Sequence, residues 1–255
     1  MTELTAVLPE GLLSHLIALR SRLLRCVIAL LLVFLAMVPF SQRLYTWLAQ
    51  PLLSRLPAGA RLIAIDVSSP FLVPVKLTLL CAILLAMPMI LYQLWAFVAP
   101  GLYRNERRLA APLLLSACAL FYCGCAFAYF MTLPMVFGFL TRATPQGVSM
   151  MTDIGHYLDF VTVILLAFGA SFEVPVALVV MVLLGWVTPE QMRGARPYAI
   201  VGIFVIAAIL APPDVVSQLM LAIPMCLLYE LGLLAARMVV RRRAASAWPF
   251  LTLRT

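Results

Sequence analysis

From Phe71 to Val98 the chain runs 28 residues with one charged side chain, Lys76. As a helix that stretch rises about 42 Å, more than the roughly 30 Å of hydrocarbon in a bilayer, which about 20 helical residues cross. Six such apolar runs can be read between polar breaks: Leu23 to Phe40, Phe71 to Val98, Leu109 to Leu133, Leu158 to Val187, Tyr198 to Ala211 and Val215 to Ala236. In lipid only helices and closed barrels satisfy their own backbone hydrogen bonds, and these continuous runs lack the alternation of a barrel strand. The expected fold is an all-α integral membrane protein of six transmembrane helices. The composition, 65% hydrophobic and 11% charged, with a mean hydropathy of +1.08, leaves too little polar surface for a soluble domain of 255 residues.

The cationic residues set the expected orientation. With the N-terminus inside, the cytoplasmic side collects Arg20, Arg22, Arg25, Arg104, Arg107, Arg108, Arg193, Arg196, Arg237, Arg241, Arg242, Arg243 and Arg254. The outside keeps Arg43, Arg55, Arg61 and Arg142, so thirteen stand against four and both termini are expected in the cytoplasm. The net charge of +8 is then a topology signal and carries no implication of nucleic-acid binding. The first span is expected to stay as an uncleaved anchor, because some twenty residues precede it and no small-x-small processing site follows. The six cysteines all fall within apolar spans, where Cys acts as a small hydrophobe, so neither a disulfide nor a metal site is expected.

Local signals organise the rest. Pro9 to Arg25 reads as an amphipathic helix leading into the first span, and Leu44, Trp47, Leu48 and Leu52 read as a short interfacial helix in a large first external loop. Ser69-Pro70 opens the second span, Thr152-Asp153 can cap the fourth, and Thr144-Pro-Gln-Gly147 forms a turn before it. Thr188-Pro-Glu-Gln191 has the pattern of a capping box on a cytoplasmic connector. Bends are expected near Pro74, Pro88 and Pro175. The fifth span, 14 residues between Pro197 and Pro212-Pro213, rises only about 21 Å, and the sixth is interrupted by Glu230, so both are expected to be short. Residues 1–240 read as one transmembrane domain. Residues 241–255 read as a basic cytoplasmic tail whose Arg241-Arg-Arg243 either meets anionic lipid or holds the sixth helix in place.

The chain carries little catalytic chemistry. It has no phosphate-binding Gly-x-x-x-x-Gly-Lys-Ser/Thr loop and no Gly-x-Ser-x-Gly elbow, and its two histidines, His15 and His156, are assigned to opposite sides of the membrane. Three ionisable residues lie at membrane depth: Lys76, Glu173 and Glu230. Each costs at least about 2.5 kcal/mol to insert, and such residues usually face protein or water. Glu173, beside Pro175, has two readings, a functional polar group facing a cavity or partner helix, and a neutral carboxyl bonded to a neighbouring helix. Lys76 and Glu230 read first as snorkelling charges near span ends. An ion-coupled secondary transporter using Glu173 and Lys76 is the alternative function, although no internal repeat supports it.

Between the second and third runs stands a charged island, Phe97-Val-Ala-Pro-Gly-Leu-Tyr-Arg-Asn-Glu-Arg-Arg108, in which one carboxylate, Glu106, is surrounded by Arg104, Arg107 and Arg108. That carboxylate either anchors a helix end or receives a basic partner. Several motifs occur with it: His15-Leu-Ile-Ala-Leu-Arg-Ser-Arg22, Ser69-Pro-Phe71, Tyr92-Gln-Leu-Trp-Ala-Phe97, Phe172-Glu-Val-Pro-Val176 and Pro212-Pro-Asp-Val215. In this order and spacing they resemble the TatC family, the polytopic subunit of the twin-arginine protein translocase, over essentially the whole chain to about Arg237.

The resemblance implies a non-enzymatic receptor in the cytoplasmic membrane for folded precursor proteins with paired-arginine signal peptides, powered by the proton-motive force. It implies TatB-like and TatA-like single-span partners and homo-oligomers within the complex, with no prosthetic cofactor. It points to Glu106, Phe97, Arg20, Tyr103 and Arg104 for signal-peptide binding, and to Pro51 and Phe71 as functional positions outside. It also places Ile203, Ile206, Leu210, Asp214 and Gln218 against a partner subunit. A carboxylate accepts two parallel hydrogen bonds from a guanidinium, a geometry that an ammonium cannot reproduce. The chain departs from the family at Ala18, where the pattern Leu-x-Glu-Leu-Arg would supply a second carboxylate.

Overall fold

The computed structural model describes residues 10–46, 62–98, 107–143, 152–210 and 215–247. The chain divides into two compact units, Met1–Gly101 and Leu102–Thr255.

In the first unit, helix α1 (Glu10–Met37) is continuous from the amphipathic segment into the first apolar run. A 3₁₀ turn at Val38–Phe40 and helical residues 41–46 extend it, so the apolar stretch reaches from Ile17 to Thr46. Helix α2 (Ser69–Val98) packs against α1 and begins at the Ser69-Pro70 signal. Its first turn is secured upstream, where the Asp66 carbonyl accepts from Ser69 N–H at 3.0 Å and the Ser68 carbonyl accepts from Phe71 and Leu72. The helix is continuous past Pro74 and Pro88. Thr78 Oγ1 donates to the Pro74 carbonyl at 2.7 Å, which gives a buried hydroxyl its partner. Of the anticipated interfacial helix only Leu44 falls within the described residues, in the extension of α1; Trp47, Leu48 and Leu52 lie outside them.

In the second unit, the third run forms α3 (Arg107–Phe127), a π-helical turn (Ala128–Thr132) and α4 (Leu133–Ala143). The wide turn has a local cause. Pro134 has no N–H and its ring crowds the carbonyl four residues back, that of Phe130. The fourth run becomes α5 (Ile154–Phe172) and α6 (Val174–Leu183). Asp153 caps α5 as the sequence suggests, its Oδ2 accepting from Gly155 and His156 N–H at 3.1 Å and meeting His156 Nδ1 at 3.0 Å. The helix breaks at Glu173, ahead of Pro175, whose missing N–H suits a first turn. At the end of α6, Gly185 takes φ +72°, a left-handed conformation that closes the helix.

The capping box forms at α7 (Pro189–Gly194): Thr188 Oγ1 accepts from Gln191 N–H at 3.3 Å, and Gln191 Oε1 accepts from Thr188 N–H at 2.9 Å. Helix α8 (Arg196–Leu210) keeps the fifth run short at 15 residues. The sixth run is not short. Helix α9 (Val215–Ala247) is continuous for 33 residues through Pro224 and Glu230, because Glu230 has a charged partner and does not have to break the span.

Close helix approaches and an apolar cluster pack the second unit. Helices α3 and α5 meet at glycines: a methyl group on Gly124 would lie 2.6 Å from the Phe168 carbonyl oxygen, and one on Gly169 would lie 2.6 Å from the Phe121 ring. Helices α6, α7 and α9 share an apolar cluster of Val179, Val182, Leu183, Met192, Leu233 and Ala236. Gly232 lets α9 come so close to α6 that a Cβ there would stand 2.8 Å from Pro175 Cα.

Candidate functional site

The sequence-derived candidates fall in three places. On α1, Arg20 is exposed and Ala18 is half-buried. On α2, Phe71 is exposed in the first turn and Phe97 is partly buried near the last. Glu106, Tyr103, Arg104, Pro51 and Asp214 lie outside the described residues. Because α1 is helical from Glu10 onward, Glu10 is eight residues, about 12 Å along the axis, from Ala18.

Glu173 sits at the junction of α5 and α6, half-buried, and its Oε1 is buried with no hydrogen-bond partner among the described residues. Such an oxygen costs about 1–3 kcal/mol if it stays unsatisfied. Lys76, on the third turn of α2, has an exposed side chain.

Glu230 departs from its reading as a snorkelling charge. Arg196 Nη2, at the start of α8, donates to Glu230 Oε2, and the two side chains are 36% and 41% exposed. The pair was missed because Arg196 reads as one of many cytoplasmic arginines and lies 34 positions away. A half-exposed carboxylate fifteen residues into an apolar helix was the available signal. Next to it, Tyr229 Oη donates to the Met192 carbonyl at 2.7 Å, so α7 is fastened to α9 just where α8 begins.

Of the residues assigned to a partner surface, Ile206 is 48% exposed, while Ile203 and Leu210 are half-buried on α8. Gln218 is turned inward on the hairpin, its Nε2 donating to the Phe204 carbonyl at 3.2 Å. Among the described residues no group of three His, Cys, Asp or Glu side chains could hold a metal.

Among the described residues, five helical stretches long and apolar enough to cross a membrane, with one shorter apolar helix, define the class: a multi-pass α-helical membrane protein. The family described as Sec-independent protein translocase protein (TatC) matches residues 14–224. Similar proteins include the Sec-independent protein translocase protein TatC of Escherichia coli strain K12, 51% identical over 91% of this chain and 90% of that protein. The TatC of Halothiobacillus neapolitanus is 54% identical over 93% of this chain, which spans 65% of that relative's length. A crystal structure described as the twin arginine translocase receptor TatC superposes with a TM-score of 0.79 at 37% identity, covering 89% of this chain and 99% of the other. This chain belongs to the TatC family, whose members are inner-membrane translocase components and not enzymes.

Proposed function

We propose that this chain is the signal-peptide receptor and core subunit of a twin-arginine translocase, exporting folded proteins at the expense of the proton-motive force. It crosses the inner membrane six times with both termini in the cytoplasm, and it assembles with TatB-like and TatA-like single-span subunits and with further copies of itself. The observation that carries this reading is the match to the family over residues 14–224, which includes the arginine-flanked Glu106. It is supported by a similar protein of known structure that is described as the translocase's receptor.

Glu106 receives the paired arginines of the signal peptide as a bidentate acceptor, with Phe97, Arg20, Tyr103 and Arg104 around it. Ala18 leaves one carboxylate fewer than the family pattern, and Glu10 is too far along α1 to replace it, so recognition rests on Glu106. Pro51 and Phe71 act at the outer side. Exposed Ile206 and half-buried Ile203 and Leu210 of α8, with Asp214 and Gln218, meet a single-span partner, and Glu173 is the polar group of the membrane interior.

The test is export of a twin-arginine reporter in cells whose only copy carries Glu106→Gln. A charge-assisted hydrogen bond is worth about 1.5–3 kcal/mol, so signal-peptide crosslinking is expected to fall by one to two orders of magnitude and export with it. Ala18→Glu is expected to strengthen crosslinking and partly rescue Glu106→Gln. Unchanged crosslinking in both variants rejects the assignment.

A further inference from the structure

The last turns of α9 carry charge that the described structure does not neutralise. Counting at 100° per residue, Glu230, Arg237 and Arg241 lie within about 20° of one face of the helix. At Glu230 this face is covered by Arg196, the first residue of α8, so α8 ends there, while another face of α9 stays packed beyond it through Leu233, Ala236, Val239 and Val240. Arg237 and Arg241 stand about 10 and 16 Å beyond that contact. The connector α7 packs with Met192 in the cluster of Leu233 and Ala236 and its carbonyl held by Tyr229, and of the two arginines Arg237 is half-buried and Arg241 exposed. The result is a step whose floor is the start of α8 and whose wall is the arginine-bearing face of α9.

A lipid-sized apolar track leads to the same place. Leu227, Leu231, Leu234 and Met238 are each more than half exposed and form one stripe, which runs into exposed Arg241 at the next helical position. From Leu227 to Arg237, the first of the two arginines, the rise is about 15 Å, half the hydrocarbon thickness. That is the reach of one leaflet's acyl chains below a headgroup. Neither Arg237 nor Arg241 forms an ion pair with another described residue, whereas Arg196 is committed to Glu230. The acid on α7, Glu190, stands in the first turn of that helix, with Arg193 in its last turn.

We infer that the step between α8 and the end of α9 is a binding site for one anionic phospholipid, with its phosphate held by Arg237 and Arg241 and its acyl chains along Leu227, Leu231, Leu234 and Met238. Lipid is the occupant because the charges cap an apolar track one leaflet long; a soluble phosphate would use the arginines and leave the track idle. The site rests on the proposed topology only for the name of its leaflet, the cytoplasmic one, and its test in detergent does not depend on orientation. Basic side chains at such a surface contribute about 1 kcal/mol each, which is about fivefold per arginine.

The experiment is native mass spectrometry of the full chain in detergent, titrated in turn with phosphatidylglycerol, phosphatidylcholine and inorganic phosphate. The wild type is expected to retain one phosphatidylglycerol about 25-fold more readily than phosphatidylcholine. Arg237→Gln with Arg241→Gln is expected to bring the two lipids near parity, while Arg237→Lys with Arg241→Lys keeps most of the preference and serves as the folded control. Equal retention of both lipids by the wild type overturns the inference, as does a preference that survives the double Gln change. Displacement of bound phosphatidylglycerol by millimolar inorganic phosphate, or wild-type chains that pair and exclude lipid, also overturns it.

Discussion

The Arg196–Glu230 pair shows how a charge can sit inside an apolar helix without ending it. Each side chain keeps about two-fifths of its surface exposed, so full burial penalties do not apply and the net value is modest, about 1 kcal/mol. Removing one partner costs more than the pair returns, because Arg196 Nε is already buried without a partner. Glu230→Gln and Arg196→Gln are each expected to lower unfolding free energy in detergent by about 1–2 kcal/mol. The double variant should lose less than the sum, with a coupling of about 1 kcal/mol; additive losses would mean that the pair is incidental. The sequence exposed Glu230 as an anomaly but not its solution, since hydropathy reports depth and says nothing about which residue of another helix faces a given position. Glu173 is the contrasting case: the Phe-Glu-Val-Pro run marked it as a polar position, and its Oε1 is buried with no hydrogen-bond partner among the described residues.

At the scale of elements, helix starts were legible and close approaches were not. The signals at Ser69-Pro70, Asp153 and Thr188 work because they depend on a few adjacent residues, and all three helix starts occur where those residues stand. The π turn at Ala128–Thr132 was not read, although Pro134 supplies its cause, because a proline within an apolar run suggests a kink and does not say how the helix will absorb it. The glycine contacts were equally silent, since an isolated Gly in a run looks like any small residue. They give a graded prediction. At Gly124 an added methyl group meets the backbone carbonyl of Phe168, which cannot rotate away, so Gly124→Ala is expected to lower the thermal midpoint, at a cost of about 1–3 kcal/mol. Gly169→Ala meets the edge of Phe121, itself fully buried, and should cost a similar amount. Gly138 has nothing within 4 Å, so Gly138→Ala should be neutral or stabilise by up to about 1 kcal/mol through helix propensity. Equal midpoints for all three variants would show that the α3–α5 approach contributes nothing to stability.

For the whole molecule the distribution of arginine is the strongest constraint, because it acts through insertion and not through any contact in the folded chain. The apolar runs were legible in place, with ends that differ from the helices by up to several residues, and the two readings that changed, the length of the sixth helix and the partner of Glu230, share one cause. A span estimated from hydropathy stops at a charge, whereas the helix continues when another element supplies the counter-charge. The continuous helix from Val215 to Ala247 rises about 50 Å, more than the roughly 30 Å of hydrocarbon. Helix α8, at about 22 Å, is the one segment that falls short of a full crossing, so the proposed count of six turns on it. If α8 crosses, residues 193 and 246 lie on the same side, opposite residue 142; if it does not, 193 and 246 are separated. With the six native cysteines replaced, single cysteines at these positions can be probed with a membrane-impermeant maleimide on intact spheroplasts. Labelling is expected at 142 alone, with 193 and 246 reacting only after the membrane is opened. Labelling of 246 in intact spheroplasts while 193 stays protected would reduce the crossings to five and remove the proposed cytoplasmic position of the C-terminus.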